Sequence, residues 1–146
     1  MREDVGDLWK YPCDVRVIPT NGVITREGLL VMASGLALEC VKRHPGIDKL
    51  LGAAVHKHGN VPLFVSGYSI LTFPTRWHWK KPADLHLIAK SAEILMKHAD
   101  SNLWLRVALP RVGCGLGGLK WETVKSVLDP ILDQRFVVLT RTKDEL

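Results

Sequence analysis

A glycine-rich stretch at residues 109–121 has the clearest capacity for chemistry in this sequence. It reads Leu-Pro-Arg-Val-Gly-Cys-Gly-Leu-Gly-Gly-Leu-Lys-Trp and follows an apolar run. Because glycine has no Cβ, successive backbone N–H groups can turn towards one anion, and a helix that begins after the loop adds partial positive charge. The composition therefore predicts a loop that cradles phosphate, with a glycine-rich turn that binds nothing as the alternative.

Two common phosphate motifs resemble this loop without matching it. Residues 113–118 have the spacing G-x-G-x-x-G of a dinucleotide-binding fingerprint, but that motif needs an acidic residue at the end of the next strand, about 20 positions on. The next predicted strand ends in Leu-Thr-Arg at 139–141 and offers no acid. A triphosphate-binding P-loop is excluded because Leu119 is inserted before Lys120, and Trp121 stands where Ser or Thr would bind magnesium.

Bulk composition is typical of one globular domain spanning residues 1–146. Of the 146 residues, 47% are hydrophobic and 24% are charged, and the formal net charge is +5. A positive balance suits an anionic ligand such as a nucleotide or nucleic acid, although modest excesses of this kind also occur on proteins without such a partner. We expect a monomer.

The cysteines and the N-terminus predict a cytoplasmic protein. We also expect no metal site and no cofactor. Cys13, Cys40 and Cys114 are odd in number and lack C-x-x-C spacing, and no apolar leader follows Met1. Apolar runs fall short of the ~20 residues that span a bilayer, so we expect no membrane partner. Residues 143–146 spell Lys-Asp-Glu-Leu, a retention signal that is read only after secretion, and we interpret this match as coincidence.

Strands and helices alternate along the predicted chain. β-branched residues at 14–19 indicate a buried strand, and Ser34 is a candidate cap for a helix that ends before Pro45. The remaining predicted elements are short strands at 53–56 and 63–65, a strand at 68–74 that forms a hairpin in this region, a helix from Pro82, a strand at 103–109, a helix at 121–128 and a strand at 136–139. This alternation predicts an α/β sandwich with a largely parallel sheet, in which ligands bind at the carboxyl ends of strands.

Five short segments gain meaning from their order. They are Gly6-Asp7-Leu8, residues 14–22 ending in Thr-Asn-Gly, residues 31–37, Phe-Pro-Thr-Arg-Trp-His-Trp at 73–79, and residues 110–121. This ordered set, which runs through essentially the whole chain, resembles the macrodomain family. It is similar above all to the branch that holds the terminal ADP-ribose protein glycohydrolase and the antitoxin macrodomains that remove ADP-ribose from DNA. The resemblance implies a three-layer α/β/α sandwich with a mixed, largely parallel central sheet and a site for ADP-ribose.

For the two ends of the ligand, the resemblance implies contacts with Asp7, Leu8 and Asn21. Asp7 would accept a hydrogen bond from the adenine amino group, with Leu8 beside it, because a carboxylate is an acceptor that selects a donor. Asn21 would contact the distal ribose. Judged without the family, Asp7 is equally typical of an exposed or capping residue, and Asn21 is equally typical of a turn.

For the middle of the ligand, the resemblance implies two glycine-containing loops. Gly35 and Leu36 match the first loop, and the second loop, Gly113-Cys114-Gly115-Leu116-Gly117, would hold the diphosphate through its N–H groups. Arg76 is a further candidate for ligand binding. Cys114 has no histidine beside it in sequence to activate the thiol, so we interpret it as a small packing residue within the loop.

The catalytic positions match the family less well. In the glycohydrolase, a Lys that follows Thr attacks the sugar carbon and an acid in the second loop assists; Arg76 and Gly117 occupy those positions here. Arginine, with a pKa above ~12, cannot form a Schiff base. The remaining candidates for catalysis are Asn21, His78, Lys80 and Lys81. The two lysines would reach the sugar only if their loop folds back, and the histidine is equally typical of a structural residue.

Residues 76–81, Arg-Trp-His-Trp-Lys-Lys, form a basic run with two indoles. Such a composition stacks bases and neutralises phosphates in proteins that bind single strands, so nucleic acid is a candidate partner. The alternative is a solvated loop whose tryptophans pack back on the sheet.

The resemblance thus predicts binding of ADP-ribose, or of a terminal ADP-ribosyl group on a macromolecule, and leaves open whether the chain hydrolyses that group from DNA or protein. Three alternatives stay open. One is removal of phosphate from ADP-ribose 1''-phosphate in the same pocket. Another is a reader that binds without cleaving, which Arg76 favours. The last is a plain nucleic-acid binder, for which affinity would fall steeply with salt.

Overall fold

The computed structural model describes residues 1–141, and in that range a six-stranded sheet is covered by helices on both faces. The strands are β1 (Arg2–Val5), β2 (Val15–Thr20), β3 (Phe64–Val65), β4 (Ile70–Pro74), β5 (Val107–Pro110) and β6 (Phe136–Thr140). The helices are α1 (Gly35–Arg43), α2 (Ile47–His58), α3 (Leu85–Asn102) and α4 (Trp121–Leu128), with a short 3-10 helix at Ser66–Tyr68. The match to a retention signal at 143–146 lies outside the described residues.

The sheet brings two segments that were predicted to contact the ligand, Asn21 and the glycine loop, to one edge. Its strand order is β1-β6-β5-β2-β4-β3, and neighbouring strands are parallel except for the antiparallel pair of β3 and β4. β5 and β2 are parallel neighbours, so their carboxyl ends point the same way. The loop that begins at Asn21 and the glycine loop that follows Pro110 therefore leave the sheet side by side.

Alternating strand side chains feed two separate cores. In β2, Val15 and Val17 pack with α3 and α4, whereas Ile18 packs on the other face with α1 and α2. All three side chains are fully buried, and full burial of such a side chain contributes about 1.5–3 kcal/mol. Helices on both faces make three layers, which confirms the predicted α/β/α sandwich with a mixed, largely parallel sheet.

The predicted strand at 53–56 is wrong, because these residues lie within α2. Ile47, Leu51 and Val55 of this helix are buried at a spacing of four residues, which is a helical period. Gly52, a poor helix former, is required by packing, since a Cβ there would overlap the carbonyl oxygen of Gly28. Tertiary packing therefore overrides the local strand preference.

Three further boundaries differ from the sequence prediction. β1 was not predicted, because its four side chains are exposed and carry no apolar alternation; its backbone pairs with β6. The predicted strand at 103–109 is shortened, since Leu103 adopts a left-handed conformation (φ 57°) that ends α3 and β5 begins only at Val107. The helix predicted from Pro82 begins at Leu85, after the N-cap Asp84.

None of the helices within residues 1–141 has the length and apolar character needed to cross a membrane.

Candidate functional site

A main cleft of about 520 Å³ opens where β2, β4 and β5 end. The segments that line it are the end of β2 (19–21), the start of α1 with the residues before it (31–37), the residues after β4 (75, 76 and 79) and the loop after β5 (110, 111, 113 and 115–117). This is the edge at which parallel α/β sheets bind ligands. The structure thus brings the predicted residues Asn21, Gly35, Leu36, Arg76, Gly113, Gly115, Leu116 and Gly117 together in one cavity.

A second cleft of about 570 Å³ adjoins the main cleft. Leu36, Pro110, Arg111 and Gly115 line both, so the two cavities meet along the glycine loop. The far side of the second cleft is formed by residues 6 and 8 and by residues 139–141. The arrangement suits an elongated ligand whose middle lies on the glycine loop and whose ends occupy separate clefts.

The glycine loop is shaped by its own turns. Gly113 and Gly118 adopt φ values of 77° and 78°, a region that other residues rarely occupy. Gly118 N donates to Gly115 O (3.0 Å), Leu119 N to Gly113 O (3.0 Å) and Ala83 N to Gly117 O (3.0 Å). These bonds hold the backbone at 113–119 in place before any ligand binds.

Two sets of backbone N–H groups belong to residues that line the main cleft. Within the described residues, no hydrogen bond uses the N–H groups of Gly115, Leu116 and Gly117. The same holds for the first turn of α1, at residues 35–37, and the N-cap Ser34 makes no side-chain capping bond. All of these residues line the main cleft. Unpaired N–H groups at a loop and at a helix N-terminus together form an anion site.

Asn21 sits at the floor of the main cleft and is 7% exposed. Its Nδ2 donates to Val31 O (3.0 Å), and its Oδ1 accepts from Val23 N (2.9 Å). The amide therefore fixes the segment that leads into α1. One further N–H and one lone pair remain on the amide for a bound hydroxyl group.

Asp7 lies beside the second cleft, and its neighbours Gly6 and Leu8 line that cleft. The carboxylate Oδ1 accepts from Trp9 N (2.9 Å), which makes a local turn and leaves Oδ2 for another donor. Arg16 anchors the same segment, because its guanidinium donates to Leu8 O (2.8 Å) and to the carbonyl oxygens of residues 9 and 11.

The basic loop at residues 76–81 contributes two residues to the lining of the main cleft, Arg76 and Trp79. Trp79 was not among the residues predicted to contact the ligand. His78, Lys80 and Lys81 line neither the main nor the second cleft, and their catalytic role stays a prediction. Among the described residues, the ionisable side chains lining the main cleft are the arginines at 76 and 111, with no carboxylate, histidine, lysine or cysteine.

Cys114 lines the second cleft and not the main one. Burial raises the pKa of its thiol, so the neutral form predominates and the side chain is a poor nucleophile. Within residues 1–141, no group of three or more His, Cys, Asp and Glu side chains is placed to hold a metal ion.

Arg111, like Trp79, lines the main cleft and was not predicted from the sequence. It lines both clefts, and its guanidinium lies 5.2 Å from the Trp121 ring centroid and 3.8 Å from Glu3 Oε1. Glu3 also accepts from Lys125 Nζ (2.7 Å) and Trp121 Nε1 (2.8 Å), and these bonds, that from Lys125 foremost, lower its pKa. A cation is thereby held at the junction of the clefts. The position of Arg111 within the glycine-rich stretch at 109–121 was the one sequence signal that could have identified it as a ligand-binding residue.

Comparison with known proteins agrees with this geometry. The model of the Macro domain family matches residues 35–128. The chain is 26% identical over 110 residues to the human ADP-ribose glycohydrolase OARD1, covering 75% of this chain and 72% of that protein. It is 33% identical over 134 residues to a DNA ADP-ribosyl glycohydrolase of Mycobacterium tuberculosis, covering 84% of this chain and 36% of that protein.

A solved structure gives the same result for the fold. The macrodomain of Mycobacterium tuberculosis DarG superposes with a TM-score of 0.80 at 27% identity, covering 97% of each chain. The family match, which spans more than half of the sequence, confirms the resemblance seen in the five segments. This chain belongs to the Macro domain family.

Proposed function

We propose that this chain binds ADP-ribose, free or as the terminal group of an ADP-ribosylated macromolecule, across the two adjoining clefts. The observation that carries the proposal is that the cleft is lined by two segments, residues 115–117 and 35–37, whose backbone N–H groups make no hydrogen bond within the described residues. ADP-ribose has a diphosphate at its middle, an adenosine at one end and a ribose at the other. This layout matches an anion site with a cavity on either side.

The two halves of the ligand then have distinct neighbours. The diphosphate lies on the glycine loop with the Arg111 cation close by, and each charge-assisted hydrogen bond contributes ~1.5–3 kcal/mol before ordering costs. The adenosine occupies the second cleft, where Asp7 Oδ2 is the candidate acceptor for the adenine amino group. The distal ribose lies in the main cleft near Asn21, Arg76 and Trp79.

Hydrolysis of the ADP-ribosyl linkage is a second candidate function, favoured because the similar proteins OARD1 and the mycobacterial enzyme are glycohydrolases. Arg76 stands in the main cleft where the family resemblance implies a nucleophilic lysine. A guanidinium stays protonated and cannot form a covalent adduct with the sugar. Hydrolysis at this site would therefore use water directly, with the sugar held by Asn21 and by the Arg76 cation. If the chain binds the ADP-ribosyl group and does not hydrolyse its linkage, it is a reader of ADP-ribosylation.

Isothermal titration calorimetry tests the binding proposal. We expect ADP-ribose to bind more tightly than either AMP or ribose 5-phosphate, because each fragment fills one cleft and lacks part of the diphosphate contact. Absence of heat with millimolar ADP-ribose would contradict the proposal. Release of ADP-ribose from a modified oligonucleotide and from a modified protein is then measured separately. Binding without release from either substrate identifies a reader.

A further inference from the structure

Two tryptophan side chains are exposed in the loop after β4, which borders the main cleft. Trp77 is 57% exposed and Trp79 is 44% exposed, and Trp79 also lines the cleft. Leu116 of the glycine loop lines the same cleft and is 75% exposed. Burial of a large apolar side chain contributes about 1.5–3 kcal/mol, so exposed ones beside a cleft mark a surface that gains from contact with a partner.

The loop that carries the indoles is anchored in place. Asn60 Nδ2 donates to Arg76 O (3.3 Å), and Gly22 N donates to Trp77 O (3.3 Å). The indole Nε1 of Trp77 donates to Asp84 Oδ2 (3.2 Å), and Asp84 in turn caps α3. This bond fixes one edge of the ring in a side chain that is otherwise largely exposed. The ring is thus presented in a set orientation.

A lysine ammonium lies against one of the two rings. Lys80 Nζ lies 5.0 Å from the Trp79 ring centroid, and the His78 ring lies 5.2 Å from the same indole. Arg76 and Lys81 complete the basic run on either side. Flat apolar rings interleaved with cations match a chain of unstacked bases on a phosphate backbone. A duplex is a poor match, because its base faces are already stacked on one another.

We infer that residues 76–81 are a docking surface for single-stranded nucleic acid, with bases stacked on Trp77 and Trp79, beside an ADP-ribosylated nucleotide held in the main cleft. The inference rests on the proposed function, since it assigns the carrier of the ADP-ribosyl group. Trp79 belongs to both the cleft and this surface. The strand therefore leaves the cleft across the Trp79 ring.

Fluorescence anisotropy with a short, unmodified, mixed-sequence DNA strand tests the stacking. Removal of one stacking ring costs about 1–3 kcal/mol, so Trp77→Ala and Trp79→Ala should each weaken strand binding about 5- to 150-fold. Trp77→Phe should retain most of the affinity because it keeps an aromatic ring for stacking, although it loses the bond to Asp84 that orients the indole. Leu105→Ala is the control, since Leu105 is 81% exposed and lies before β5, at the opposite edge of the sheet.

Spectroscopy and salt give readouts that a structural role alone would not change. Base stacking should quench tryptophan fluorescence in the wild type and quench it less in Trp77→Phe. If Arg76, Lys80 and Lys81 each neutralise one phosphate, the slope of log affinity against log salt concentration should be about −2. Lys81→Ala should make that slope less steep by about 0.7.

Unchanged strand affinity in both alanine variants, or equal affinity for duplex and single strand, would overturn the inference. Calorimetry with free ADP-ribose separates the two claims. If ADP-ribose binds and the strand does not, only the docking surface is refuted. If ADP-ribose does not bind, the proposed function itself fails.

Discussion

Gly117 has no room for a side chain. A Cβ at this position would lie 2.7 Å from the Gly113 carbonyl oxygen and 2.8 Å from Ala83 Cβ. Neither neighbour can swing away, because one is backbone and the other is tied to the loop through the bond from Ala83 N to Gly117 O. Overpacking of this kind costs about 1–3 kcal/mol. For a chain of this size, Gly117→Ala should therefore lower Tm by about 2–12 °C in differential scanning calorimetry.

Gly115→Ala is the matched control in the same loop. A Cβ on Gly115 would meet no protein atom within 4 Å, and Gly115 lines both clefts. Its stability should therefore stay within ~0.5 kcal/mol of the wild type. The added methyl group would instead occupy the space expected for the diphosphate. Loss of one charge-assisted bond, ~1.5–3 kcal/mol, should weaken ADP-ribose binding about 10- to 150-fold by titration calorimetry.

The two variants test separate steps of the reasoning. A wild-type Tm for Gly117→Ala would refute the steric argument, because it would show that the loop relaxes freely. Undiminished ADP-ribose affinity for Gly115→Ala would refute the placement of the diphosphate, whatever the stability of that variant.

Three other substitutions have defined outcomes. Gly52→Ala should unfold at lower urea concentration than the wild type, because its Cβ overlaps the Gly28 carbonyl, whereas Gly67→Ala, with no atom within 4 Å of its Cβ, should not. Asp84→Ala should cost about 0.5–2 kcal/mol at neutral pH. Hydrogen bonds from the first turn of α3 lower the pKa of the Asp84 carboxyl. The stability that this carboxylate contributes is therefore present above the ordinary pKa of about 4 and is lost as pH falls through the lowered folded-state pKa. Urea denaturation of wild type and Asp84→Ala should show a difference in stability at neutral pH that shrinks below the lowered pKa. Borohydride should trap an ADP-ribose adduct on Arg76→Lys and none on the wild type, and an adduct at the native arginine would contradict the water mechanism.

The elements predicted correctly are those whose signal is local. The apolar spacing from Leu85 to Met96 predicts α3, and the β-branched run at 14–19 predicts β2. β1 has no such signal, because it is an edge strand held by backbone pairing with β6 while its side chains face water. At residues 53–56 the local signal was misleading. They belong to a helix with Gly52 near its centre, and that helix depends on close packing against Gly28, in a loop distant in sequence.

Asn21 and the glycine loop each follow a predicted strand, and the family resemblance assigned both to one ligand. That β2 and β5 are parallel neighbours, which brings the two segments into one cavity, is given only by the sheet order. Trp79 and Arg111 were missed because a side chain's direction from a loop depends on distant partners. For Arg111, those partners are Trp121 and Glu3, which approach it only through the sheet order. Lys80 lines neither cleft and its ammonium lies over the Trp79 ring, so its catalytic role stays a prediction.

A crystal structure of the chain with ADP-ribose tests the central claim most directly. We expect the diphosphate within hydrogen-bond distance of the N–H groups at 115–117 and 35–37, the adenosine in the second cleft and the distal ribose beside Asn21. A complex in which the diphosphate turns away from both sets of donors would contradict the account. So would crystals grown in saturating ADP-ribose in which both clefts are empty.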